Sequence, residues 1–160
     1  MITENAKFIV SLAALACSFI AIYLTGSNYR RLIKEREEDM LNAFQRDYEG
    51  IRAKMDKRYC DNGWRPDPHD KSIWEPYEEY WYFCYREWKI TMGSTNGRYV
   101  NLWNDSIRDG VKAGLSHPPL RYVLATMLKR GSLLGDYAVG FVQEMNKLNN
   151  NIDIQKEFYQ

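Results

Sequence analysis

Histidine and cysteine are scarce in this 160-residue chain, which holds two of the first and three of the second. Cys17, Cys60 and Cys84 cannot close a disulfide set within one chain, and their spacing fits no metal-binding or redox motif. Reduced structural thiols are expected. His69 lies in a proline-rich loop and His117 between Ser116 and Pro118, and neither has a Cys, His or carboxylate at helical spacing. No metal and no cofactor is therefore expected. A glycine-rich phosphate loop, a dinucleotide fingerprint and a nucleophile elbow are also missing, so an enzyme is not the first expectation. Charge of one sign is lacking too: 22 basic against 21 acidic residues leave a net charge of +1. That excludes the broad basic footprint of a phosphate-tracking nucleic-acid binder. No period-2 pattern of strand length and no internal repeat is present, which excludes β-rich and solenoid classes.

What the chain has in excess is aromatic surface, with twelve Tyr, six Phe and five Trp in a composition that is 45% hydrophobic and 27% charged. Disorder is excluded, and a compact body with a large core is expected.

The 22 residues between Lys7 and Arg30 carry no formal charge, and Phe8 to Leu24 (FIVSLAALACSFIAIYL) is almost wholly apolar. At ~1.5 Å per residue such a helix reaches about 33 Å, enough to cross the hydrocarbon core of a bilayer. A cleavable signal ending at Ala14-Leu15-Ala16 would leave a short apolar core before the cut and an apolar run after it. A lipoprotein signal ending at Cys17 meets the same objection. Arg30, Arg31, Lys34 and Arg36 follow the span immediately. By the positive-inside rule the amino terminus is expected to be exported and the carboxy-terminal body cytoplasmic, as in a bacterial inner membrane. This basic cluster also suits anionic headgroups, which makes the bilayer itself an expected partner.

From Asn28 to about Tyr59 good helix formers predominate. Leu41, Phe44, Tyr48, Ile51 and Met55 recur at coiled-coil spacing. Only about two heptads are apolar, and two readings follow. In one, the stripe packs on its own domain; in the other, it is a seam for a protein partner or a homo-oligomer. Cys60 to Lys71 (CDNGWRPDPHDK) reads as a loop. The next helix is expected to be capped by Ser72, with Glu75 closing a capping box. It holds eight aromatic residues in the fifteen positions Trp74 to Trp88. Glu75, Glu78, Glu79, Tyr82, Arg86 and Lys89 form its polar stripe, so most of its circumference should be buried.

After the turn at Gly93 to Gly97, a helix is expected from Tyr99 to about Ala113. Val100, Trp103, Ile107, Val111 and Leu115 form its apolar face, with Gly110 and Gly114 on the same side. A helix opened by Pro118-Pro119 should bury Leu120, Val123, Leu124, Met127 and Leu128. A last helix, Leu133 to Leu148, should bury Leu134, Tyr137, Phe141, Met145 and Leu148. The expected organisation is all-α: an anchor at 1–27, a stalk helix at 28–59, a four- to five-helix bundle at 60–148 and a polar tail at 149–160.

Glu87 is the singular polar residue, set between Tyr80 and Phe83 on the helical wheel and off the polar stripe. A buried carboxylate there needs a hydrogen bond, a cation or a proton. Arg121 and Arg108 are the candidate cations, and Tyr80 the candidate hydroxyl. The alternatives are a structural pair, an exposed helix-end glutamate and a functional carboxylate. The aromatic run likewise reads as core, as a ring-lined ligand pocket or as a surface against headgroups.

Glu79-Tyr80-Trp81-Tyr82-Phe83, Glu87-Trp88, Leu102-Trp103, Gly110 to Leu115 and Pro118 to Val123 occur in an order that resembles small bacterial membrane-anchored helical proteins of a domain family of unknown function. The resemblance implies a single-pass, all-α architecture and carries no catalytic signature. The expected function is non-catalytic: a scaffold, assembly factor or accessory subunit of a membrane complex. One alternative is a membrane-tethered sensor with an aromatic pocket for a small apolar or cationic ligand. Another is an enzyme using Glu87 with Tyr80 or Arg121.

Overall fold

The computed structural model describes residues 4–61, 63–92, 99–133 and 138–159, with the side chains of 4–11 left aside. All regular structure among them is helical, in the order α1 (Glu4–Lys54), a 3₁₀ turn (Lys57–Cys60), α2 (Lys71–Thr91), α3 (Val100–Leu102), a π turn (Trp103–Ile107), α4 (Arg108–Leu115), α5 (Pro118–Arg130), α6 (Ala138–Leu148) and α7 (Ile154–Phe158). The chain divides into two units, Met1–Asn42 and Ala43–Gln160, and α1 contributes to both.

The first unit is a single helix. From Leu12 to Leu24 its apolar side chains are exposed: Phe19 by 64%, Ile22 by 70% and Leu15 by 56%. Two hydroxyls in this stretch turn inward to the helix backbone, Ser18 donating to the Ala14 carbonyl at 2.9 Å and Thr25 to that of Ala21 at 2.7 Å. Neither polar group then needs water, which is the condition for a helix in hydrocarbon. One helix among the described residues is long and apolar enough to cross a membrane, and no side chain of its most apolar stretch is buried.

The second unit is a helical bundle assembled around α2, as its aromatic content leads one to expect. Trp74, Tyr77, Tyr80, Trp81, Phe83, Cys84, Glu87, Trp88 and Thr91 are all buried on it. The helix begins one residue ahead of the expected Ser72 cap. Asp70 is the N-cap, its carboxylate accepting from the Ser72 backbone N–H and hydroxyl at 3.1 and 2.7 Å. Trp81 is fully enclosed and donates its indole N–H to the Leu120 carbonyl at 2.8 Å, which ties α2 to α5.

The expected apolar face from Val100 to Leu115 repeats mostly every four residues. In a regular α-helix that interval drifts by about 40° per step. The π turn at Trp103–Ile107 absorbs the drift: Arg108 donates its N–H back to the Trp103 carbonyl, and Trp103, Ile107, Val111 and Leu115 are all buried together. Gly131 closes α5 in the left-handed region at φ 68°, with the Ser132 N–H reaching the Met127 carbonyl at 2.9 Å. On α6 Phe141, Met145 and Leu148 are buried as expected. Leu134 and Tyr137 lie outside the described residues.

The described part of the polar tail, 149–159, is folded against the bundle. Asp153 caps α7, Ile154 is fully buried, and its N–H donates to the Asn146 side chain at 3.1 Å. Phe158 meets the Tyr122 ring edge-on at 5.7 Å, and Arg121 and Glu157 pair at 2.9 Å.

Candidate functional site

The apolar stripe at the end of α1 is used within the second unit. Phe44 and Ile51 are each 6% exposed, and Phe44 meets Phe83 edge-on at 6.2 Å. Tyr48 bridges Tyr80 and Phe83, at 6.3 and 6.4 Å. Two ion pairs flank this contact, Lys54 with Glu79 at 2.8 Å and Arg86 with Asp47 at 2.6 Å. Of the proposed seam, Leu41 belongs to the first unit, Phe44 and Ile51 are packed, and Tyr48 and Met55 face a cavity.

That cavity, of about 230 Å³, lies between the end of α1 and α4. Tyr48, Tyr59 and Tyr80 supply rings, Arg52 a cation and His117 an imidazole that stands edge-on to Tyr59 at 5.3 Å. Gly110, Ala113 and Gly114 form the α4 side. Gly114 permits the close approach of α2 and α4, since a β-carbon there would sit 2.0 Å from the Tyr80 hydroxyl oxygen.

Tyr80 is buried and its hydroxyl interacts with the Cys84 thiol. Burial pushes both groups well above their ordinary values, so both stay protonated. Glu87 sits one turn further along, 5% exposed. Burial raises its carboxyl to about 8, with Arg86 pulling it down and Asp47 pushing it up. Among the described residues no cation or hydroxyl reaches it, because each expected partner is engaged elsewhere. Arg121 pairs with Glu157 and donates to the Leu115 carbonyl, and Arg108 lies 3.7 Å from Glu144. Of the expected Glu87–Tyr80–Arg121 group, Tyr80 and Glu87 share a buried face of α2, and Arg121 lies in the α5–α7 contact. The carboxyl accommodates burial by holding a proton.

The basic cluster Arg30, Arg31, Lys34 and Arg36 is exposed on the first unit. Arg31 approaches Glu35 at 3.3 Å and Lys34 approaches Glu38 at 3.9 Å, so acidic residues one turn on partly answer it. Among the described residues no three His, Cys, Asp or Glu side chains converge as a metal site. Sequence reasoning set Gly110 and Gly114 on the apolar face, where Gly114 is buried and Gly110 exposed. It missed Arg52 and His117, which become neighbours only through the folding of α4 and α5 against α1. No family model matches this chain, and no curated protein or solved structure matches it either.

Proposed function

We propose that this chain is a single-pass membrane protein that acts by binding, as a scaffold, assembly factor or accessory subunit of a membrane complex. Its amino terminus is exported and its bundle is cytoplasmic. The observation that carries the reading is the uncovered apolar surface from Leu12 to Leu24, which water would penalise on every face and hydrocarbon would accept. The charge order agrees: the exported flank holds Glu4 and Lys7, and the other flank starts with Arg30 and Arg31. Alkaline carbonate washing of membranes carrying the full chain should leave it in the pellet, and protease added from outside should spare the bundle. Release by carbonate would overturn the anchor. Gentle co-purification from the native membrane should bring down stoichiometric partner chains or an oligomer. Recovery of the monomer alone, under conditions that preserve other complexes, would overturn the interaction role.

A second reading, a membrane-tethered sensor, is favoured by the tyrosine-lined cavity beside Arg52. In it, ligand held between α1 and α4 would stiffen the contact between the end of α1 and the bundle. Ligand-dependent stabilisation of the detergent-solubilised chain tests it.

A further inference from the structure

We infer that the cavity between α1 and α4 is a binding site for a small aromatic carboxylate, an inference that rests on the sensor reading. Three observations converge on that class. The first is charge. Among the described residues Arg52 is the formal charge of the lining, no acidic residue lines the cavity, and Arg52 makes no ion pair. Two larger grooves among the described residues differ. One sets Asp47 and Glu79 against its cations, the other Asp109 and Glu157. A cation-binding aromatic cage is the other use of such rings, but an arginine in the wall opposes it.

The second observation is shape and size. Tyr48, Tyr59 and Tyr80 offer ring faces and edges suited to a planar body. The volume of about 230 Å³ is the room of about eight waters at ~30 Å³ each, below the ~300 Å³ at which drug-sized pockets begin. One ring with a short acidic arm fits that scale.

The third is Gly110. Gly114, one turn on, is explained by the Tyr80 hydroxyl that fills the place of its side chain. Gly110 lines the cavity from the exposed side of α4, where a β-carbon meets no atom within 4 Å, so a larger side chain at this position has room to extend over the cavity. A glycine inside a helix weakens it, so a larger residue here tests the cavity without loss of helix stability. The nearby start of α5 cannot supply the anion's partners. Pro118 and Pro119 have no N–H, and the N–H groups of Leu120 and Arg121 both reach the His117 carbonyl. Recognition of a carboxylate therefore falls to the Arg52 guanidinium, assisted by the His117 ring.

The test uses the full chain in detergent and three probes of nearly equal size: phenylacetate, phenylacetamide and phenethylammonium. Ligand-observed NMR and thermal shift at millimolar probe read the binding. Phenylacetate should bind at least tenfold more tightly than the other two. Arg52→Gln should remove that preference while leaving the weak phenylacetamide affinity within about twofold, as expected when one charge-assisted contact is lost. Gly110→Leu should abolish binding of all three while the melting temperature stays level or rises. If phenethylammonium or phenylacetamide binds best, the ligand class is overturned and the sensor reading survives. If no probe binds, or if Gly110→Leu binds as well as the parent, both the inference and the sensor reading at this cavity fall.

Discussion

Replacing Glu87 by Gln should free the bundle from a large pH dependence. The buried carboxyl holds its proton up to about 8, against 4.5 when solvated, so the folded chain binds more protons than the unfolded chain between those values. Stability is therefore fully present below about pH 4.5 and is lost as pH rises through 8. At about 1.36 kcal/mol per tenfold change in proton affinity, the full rise corresponds to about 5 kcal/mol, of which about 4 falls between pH 5 and 8.5. Water entry and side-chain rearrangement relieve part of this, so a loss of about 2–4 kcal/mol over that range is expected. Other shifted groups stay outside the window. Asp56, lowered to about 2, and Asp70, also lowered, stabilise above their unfolded values and lose that only in acid. Tyr77, Tyr80 and Cys84 are raised from phenol or thiol values and act only in alkali. Urea unfolding followed by tryptophan fluorescence is the assay, because all five tryptophans, Trp64, Trp74, Trp81, Trp88 and Trp103, lie in the bundle. The parent should weaken steadily from pH 5 to 8.5 and Glu87→Gln should stay nearly flat. Parallel curves for the two proteins would refute the buried, protonated carboxyl.

Three further outcomes follow from the packing. Gly114→Ala puts a methyl into the Tyr80 hydroxyl and should cost about 1–3 kcal/mol in urea unfolding, with Tyr80→Phe recovering part of the loss in the double variant. In the native bundle a maleimide should label exposed Cys60 quickly and reach Cys84, 1% exposed and protonated, only on unfolding; equal rates would contradict that burial. A double-mutant cycle on Arg121→Met and Glu157→Gln should give a coupling of about 1–2 kcal/mol, since the pair is mostly shielded from water, and a coupling near zero would remove α7 from the folded unit.

Particular residues show how far the chain could be read in advance. Trp74 to Trp88 announced the central helix because a pattern apolar on most of its circumference can be satisfied only by cover on most sides. Its start was misplaced, since Ser72 and Glu75 carry a capping-box pattern, yet Asp70 caps the helix and bonds to Ser72 itself. The burial of Glu87 followed from its angular position between aromatic neighbours, whereas its partner did not. Arg121 stood near the apolar face of α5 and looked available until α7 brought Glu157 to it. In a tail of asparagines and charges Phe158 and Tyr159 were the residues that could dock, whereas the burial of Ile154 gave no sign, because one apolar residue makes no period.

The sequence by itself determined the helical class, the uncharged apolar segment long enough to span a bilayer, and the identity of the bundle's central helix. Each is a local property, set by hydrophobic period, run length and charge order along one stretch of chain. Only the tertiary structure decided that the end of α1 packs its apolar stripe on α2, that Arg121 pairs with Glu157 and not with Glu87, and that Arg52, His117 and Gly110 line one cavity. Those relations join residues dozens of positions apart, and no pattern within a single helix encodes which neighbour will occupy the space beside it.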